Sequence, residues 1–185
     1  MQQTSRRRAL YATLLLMGAL WIFLSADKTG ASTNGRIPAP QEGFLAPDFS
    51  LTTMSGETYS LSALRGNVVV VNLWASWCLP CRAEMPAIQR VYEKYKDAGL
   101  VVLAVNSTSQ DNTASVDAFI TELGLTFPVV MDYDGKVANL YRLSALPTTF
   151  FIGRDGVIRK VTPGGPMSEA SLQATIQALL AEEAR

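Results

Sequence analysis

Nine residues from Asn67 to Ala75, NVVVVNLWA, carry no charge and no polar side chain before Asn72 except Asn67 itself. A run of β-branched residues is a strand, and one without a polar face is covered on both sides. Such a strand belongs inside a sheet with helices packed on its faces. The rest of the chain must supply those helices. Just beyond the strand stand Trp77, Cys78, Leu79, Pro80 and Cys81, and the two cysteines are the only ones in 185 residues.

The remaining pattern fits this frame. DFSLTTMSGETYSLSAL (48–64) alternates apolar and polar residues on both sides of Ser55-Gly56, a hairpin signal. A helix is predicted from the second half of CLPC to about Lys96, and a second buried strand over 99–107. TASVDAFITELG repeats Val116, Phe119, Ile120 and Leu123 at helical spacing and closes on Gly124. FPVVMD reads as a short strand and GKVANLYRL as a short helix. PTTFFIG and VIRKVT read as antiparallel strands joined at Asp155-Gly156. A helix capped by Ser168 closes the chain. The expected fold is an α/β sandwich with its front strands parallel and its last two antiparallel.

The front of the chain is different material. Arg6, Arg7 and Arg8 precede 18 uncharged residues, Ala9 to Ala26. As a helix these span about 27 Å at 1.5 Å per residue, near the bilayer core of about 30 Å. The arginines stay cytoplasmic, so everything after Asp27 lies outside the cytoplasm. A cleaved signal peptide also exports the domain, but its apolar region is shorter and ends at a small-x-small site, which Leu24-Ser25-Ala26 fits badly. The expected organisation is an anchor or signal sequence over 1–26, a flexible linker over 27–46 and one domain over 47–185. The linker is rich in Gly, Ser, Thr and Pro, with a reach of about 25 Å. No cysteine stands at the junction for a lipoprotein anchor.

Charge and composition exclude several classes. Lys plus Arg equals Asp plus Glu, and no basic stripe follows the first arginines, so nucleic acid is not an expected partner. There is no histidine, which removes imidazole bases and the commonest metal ligand. One cysteine pair without histidine does not supply the four ligands of structural zinc. A structural staple across three residues gains little, because the benefit falls with loop length. A redox pair accounts for the position. Cys78 stands at the mouth of a helix, where free N–H groups and the dipole favour a thiolate. Cys81 lies one turn on and reaches back, as a resolving thiol does. No cofactor beyond the redox-active Cys78–Cys81 disulfide is expected.

Neighbouring residues gain roles from this reading. Pro80 is tolerated in a first helical turn. Trp77 offers an apolar platform to a partner, although packing alone would also explain it. Glu84 follows Cys81 by three residues, on the sulfur-bearing side, where a carboxylate can take a proton from the second thiol. Taken alone, it also suits a solvated helix face. Asn72 reads as a buried amide that must find partners. Pro147 in ALPTTFF is a place for a cis peptide, which would present the backbone around Leu146 to a partner chain. DYDG (132–135) reads as a turn with helix-capping aspartates, since a calcium loop lacks its further ligands. Asn106-Ser107-Thr108 is a glycosylation sequon only in a eukaryotic secretory route, which nothing here suggests.

NLWASWCLPCRAEMPAIQ, then FPVV-D-DG-VA--Y, then LPTTFFI-RDG together resemble the membrane-anchored thioredoxin-like thiol–disulfide oxidoreductases of bacteria, the TlpA/ResA group of the AhpC/TSA-redoxin superfamily. The resemblance runs from about Pro47 to the C-terminus. It implies a thioredoxin-like fold with a mixed central sheet flanked by helices, an N-terminal β-hairpin extension and a strand–helix insert. It implies Cys78 as nucleophile, Cys81 as resolving thiol, Pro147 as the cis-proline facing them and Glu84 as a buried acid near the pair. Thioredoxin carries a buried aspartate where this chain has Asn72, and the resemblance implies that Glu84 replaces its function. Members reduce disulfides in exported proteins and are re-reduced by a membrane thiol-transfer carrier. A monomer in the cytoplasmic membrane with its catalytic domain outside is the expected state. The cytochrome c maturation branch often shows GVxGxPE around the proline, and RLSALPTTF departs from it.

Three rival functions compete with this reading. APDFSL and GNVVVVNLW also suit a peroxiredoxin, but that chemistry wants Thr or Ser three residues before its cysteine, where Ala75 stands. A disulfide-donating oxidant stabilises its reduced thiolate with a polar or positive residue inside the pair, and Leu79-Pro80 offers neither. A binding module with a vestigial pair would be indifferent to losing Cys78.

Overall fold

The structure is a computed structural model that describes residues 37–182. The expected anchor over 1–26 and residues 27–36 of the expected linker lie outside the described residues. Among the described residues no helix is long and apolar enough to cross a membrane.

The elements follow in order: β1 (Ser50–Thr52), β2 (Thr58–Ser60), β3 (Val68–Trp74), α1 (Leu79–Tyr95), β4 (Leu100–Asn106), α2 (Thr113–Leu123), β5 (Val129–Met131), α3 (Lys136–Leu140), β6 (Thr148–Ile152), β7 (Ile158–Pro163) and α4 (Glu169–Ala181). β1 and β2 form the expected hairpin. The other strands form one sheet in the order β5-β4-β3-β6-β7. β3 pairs parallel to β4, and β4 parallel to β5, while β6 and β7 run antiparallel.

β3 is the centre, as its composition demands. Every residue from Val68 to Trp74 is buried. Val68, Val70 and Trp74 point to the face covered by α1, α2 and α4, packing with Met85, Ile88, Phe119, Leu172 and Ile176. Val69, Val71 and Leu73 point to the other face, against Phe49, Val137 and Tyr141. This alternation sets Asn72 on the α1 side, directly across from Thr149 of β6.

The helix ends obey local chemistry. Asn112 caps α2 by accepting from Ala114 and Ser115 N–H, and Gly124 ends it with φ 58°. Asp132 accepts from Val137 N at 3.2 Å and Ala138 N at 2.9 Å, so DYDG is a helix-capping turn. Ser168 caps α4. α1 starts one residue earlier than expected and tolerates Pro86 in its interior. Residues 37–46, read as linker, run along the outer edge of β7. Gly43 N donates to Ile158 O at 2.8 Å, and Leu45 and Ala46 are buried.

Candidate active site

Three segments converge where β3 ends. The first is the loop from Ala75 to Trp77 leading into α1. Cys78 is the N-cap of α1, and the Cys81 backbone N–H points at Cys78 Sγ at 3.2 Å. Cys78 and Cys81 are joined as a disulfide. Cys78 is 5% exposed and Cys81 wholly buried, so an incoming molecule meets Cys78 first. When the bond opens, the same N–H and the helix N-terminus remain to stabilise a Cys78 thiolate.

The second segment is Leu143–Leu146, before β6. Together with Trp77, Cys78, Leu79, Pro80, Ser107 and Gln110 it lines a groove of about 540 Å³. No lining side chain besides Cys78 is ionisable. Trp77 is 57% and Leu79 79% exposed at its rim, unusual for such large apolar groups. The Leu146–Pro147 peptide is cis.

The third segment, Pro163–Met167, had no place in the sequence reading. Its Met167 N–H donates to Glu84 Oε2 at 3.2 Å. Glu84 is fully buried, not a solvated helix residue. Its Oε1 accepts from Asn72 Nδ2 at 2.8 Å, and Asn72 gives its other amide hydrogen to Thr149 Oγ1 at 2.8 Å. Burial pushes the Glu84 carboxyl above its ordinary value of 4.5, against the lowering effect of the Met167 and Asn72 hydrogen bonds. Gly165 closes this layer. A Cβ there would lie 2.7 Å from Pro147 Cγ and 2.9 Å from Glu84 Oε2. Only the bare glycine backbone lets Pro147 and the acid share that space.

The expected residues thus fall into two connected groups. Trp77, Cys78, Pro80 and Leu146 border the groove. Cys81 and Glu84 lie buried on α1, with Gly165 between Glu84 and Pro147. Among the described residues no cluster of His, Cys, Asp or Glu could hold a metal ion. The arrangement can exchange one disulfide for another, with a nucleophile bordering the groove, a second, wholly buried thiol one turn on and a proton-holding group on the same helix.

Comparison with known proteins agrees with this chemistry. The AhpC/TSA family model matches residues 43–161. A thiol-disulfide oxidoreductase ResA of Oceanobacillus iheyensis is 38% identical over 168 residues, covering 88% of this chain and 85% of its own. The thioredoxin-like protein YneN of Bacillus subtilis is 45% identical over 125 residues, covering 67% of this chain and 72% of its own. A crystal structure of a putative thiol:disulfide interchange protein DsbE from Chlorobium tepidum superposes with a TM-score of 0.70 at 34% identity, covering 76% of this chain and 99% of that one. The Cys78–Cys81 pair, the mixed sheet and these relatives agree, and the chain belongs to the AhpC/TSA family, among its thioredoxin-like thiol–disulfide oxidoreductases.

Proposed function

We propose that this protein is an extracytoplasmic protein-disulfide reductase, held to the membrane by its N-terminal segment and acting as a monomer on exported proteins. The observation that carries the reading is the Cys78–Cys81 pair at the N-terminus of α1, with only Cys78 at the groove.

The cycle starts from the dithiol. The Cys78 thiolate attacks one sulfur of a substrate disulfide, a mixed disulfide forms, and the first substrate sulfur leaves as a thiolate that takes a proton. Cys81 then gives its proton to Glu84 and attacks Cys78 Sγ. The bond from Cys78 to the substrate breaks, and the second substrate sulfur leaves and is protonated. The substrate gains two electrons and two protons, and the protein is left with the Cys78–Cys81 disulfide. A membrane carrier of the thiol-transfer type returns the pair to the dithiol. Trp77, Pro80, Leu146 and Pro147 receive the substrate chain beside Cys78. Apocytochromes awaiting haem attachment are one substrate class this chemistry serves.

Two measurements test the proposal. A Cys81→Ser variant is expected to accumulate mixed disulfides with envelope proteins, and a Cys78→Ser variant none. Failure to trap any partner would count against the cycle. The reduction potential of the pair is expected near or below about −270 mV, and a value near about −120 mV would make the protein a disulfide donor instead.

A further inference from the structure

The turn after β4, Ser107 to Asp111, is fastened at three points to the end of β3 and the loop that follows it before Cys78. Ser107 N donates to Trp74 O at 2.9 Å. Trp77 Nε1 donates to the Gln110 carbonyl at 2.9 Å. The Asp111 carboxylate accepts from both the backbone N–H and the hydroxyl of Ser76, each at 2.6 Å. It also accepts from Asn106 Nδ2 at 2.9 Å and Asn112 N at 2.8 Å. Four donors therefore converge on one carboxylate, and two of them belong to the residue two before the nucleophile. Burial pushes the Asp111 carboxyl up, but the hydrogen bonds from Asn106, Ser76 and Asn112 outweigh it and hold the group below the ordinary aspartate range. It is an anion at neutral pH, and charge-assisted bonds of this kind are the strong ones.

The same turn also faces the substrate groove, since Ser107 and Gln110 line it together with Leu143–Leu146. The segment that Asp111 immobilises is therefore both the support of Trp77 and one wall of the site. We propose that Asp111 is a positioning residue for the exchange reaction: it locks Ser76–Trp77 onto the Ser107–Asp111 turn and so sets the width of the groove that takes the chain flanking a substrate disulfide. The occupant is an extended polypeptide with uncharged residues beside its disulfide, because the groove offers apolar surface, hydroxyl and amide groups and no counter-charge. The inference rests on exchange taking place at Cys78.

The experiment uses the full-length chain and three readouts: kcat and KM for insulin reduction, the rate with oxidised glutathione, and the reduction potential of the pair. Asp111→Asn keeps the shape but replaces one acceptor oxygen with a donor. It is expected to raise the insulin KM about tenfold, the ratio that 1.4 kcal/mol produces. The glutathione rate and the potential, which report on the sulfurs and not on chain docking, are expected to stay at the wild-type values. Ser76→Ala removes one donor and leaves the backbone bond, so it is expected to shift KM in the same direction by less. It keeps the test open where Asp111→Asn does not fold. An unchanged insulin KM in both variants overturns the inference, as does a parallel change in glutathione rate or potential. Wild-type insulin reduction by Cys78→Ser would instead remove the exchange reading beneath it.

Discussion

Asn72 stands in the middle of β3 and gives one amide hydrogen to Glu84 Oε1 and the other to Thr149 Oγ1, each at 2.8 Å. A central strand that otherwise buries only apolar side chains has therefore given one position to a polar group whose two donors are both used. Asn72→Ala is expected to lower stability by about 1–3 kcal/mol, because it strands two buried acceptors. It also removes a hydrogen bond that favours the ionised Glu84, so any rate limb that follows this acid is expected to move to higher pH. Urea unfolding and a pH–rate profile of the same variant check both statements.

Glu84 itself gives a signed pH dependence. Its folded pKa is raised above the ordinary 4.5, chiefly by burial. A raised carboxyl contributes stability that is fully present below its unfolded pKa and lost as pH rises through the folded one. Relative to Glu84→Gln, the wild type is therefore expected to lose stability on going from below 4.5 to neutral pH. If Glu84 takes the Cys81 proton, release of a mixed disulfide in the wild type accelerates as pH rises through the same window. Glu84→Gln is expected to be slower by about 10²–10⁴-fold and to lack that limb. Stopped-flow release of a preformed mixed disulfide decides it, and an unchanged profile would remove Glu84 from the proton path.

What could be read beforehand was local in sequence. The apolar run of β3, the helical spacing of Val116 and Phe119, the Ser168 cap and the spacing of Cys78 and Cys81 each lie within a few residues, and each took the expected form. The partners of the site were not legible, because they come from far along the chain. Met167 reaches Glu84 across 83 residues and Asp111 reaches Ser76 across 35. Periodicity carries no information about such pairs. The Gly164-Gly165-Pro166 run was a visible sign of an unusual turn, but nothing in it names Glu84 as its neighbour. Asn106-Ser107-Thr108 carries no signal in sequence beyond that of a sequon, while in the fold Asn106 binds Asp111 and Ser107 borders the groove. The stretch over 37–46 has linker composition, yet its backbone pairs with an exposed sheet edge, where hydrogen bonding matters more than side-chain type.

Gly165 has no room for a side chain. Its added Cβ would press on the Pro147 ring at 2.7 Å, and the ring cannot rotate away. It would also press on Glu84 Oε2 at 2.9 Å. Gly165→Ala is expected to cost about 1–3 kcal/mol by overpacking. Displacing the Glu84 carboxyl also disturbs its bond from Met167 N, so slower mixed-disulfide release is expected alongside the lower unfolding midpoint. A variant of wild-type stability and wild-type release would show that the Pro163–Met167 segment yields freely and does not constrain the acid.

Ser107 presents the opposite situation, a side chain with too little to hold. Its backbone N–H is used by Trp74 O at 2.9 Å, but its enclosed hydroxyl has no hydrogen-bond partner among the described residues. A buried hydroxyl left unpaired carries a desolvation penalty, and replacing it with an apolar group of similar shape removes that penalty. Ser107→Ala is therefore expected to stabilise the oxidised protein by about 1 kcal/mol, a rise in Tm of about 2–4 °C for a domain of this size. The comparison is to be repeated on the dithiol form, because Cys78 borders the same groove and its thiolate is a far better acceptor than a disulfide sulfur. Equal gains in both redox states would mean that the hydroxyl is idle throughout the cycle. A gain confined to the oxidised form would mean that it turns to the Cys78 thiolate on reduction, and the variant's reduction potential would then lie below the wild type's, because the oxidised state alone is favoured.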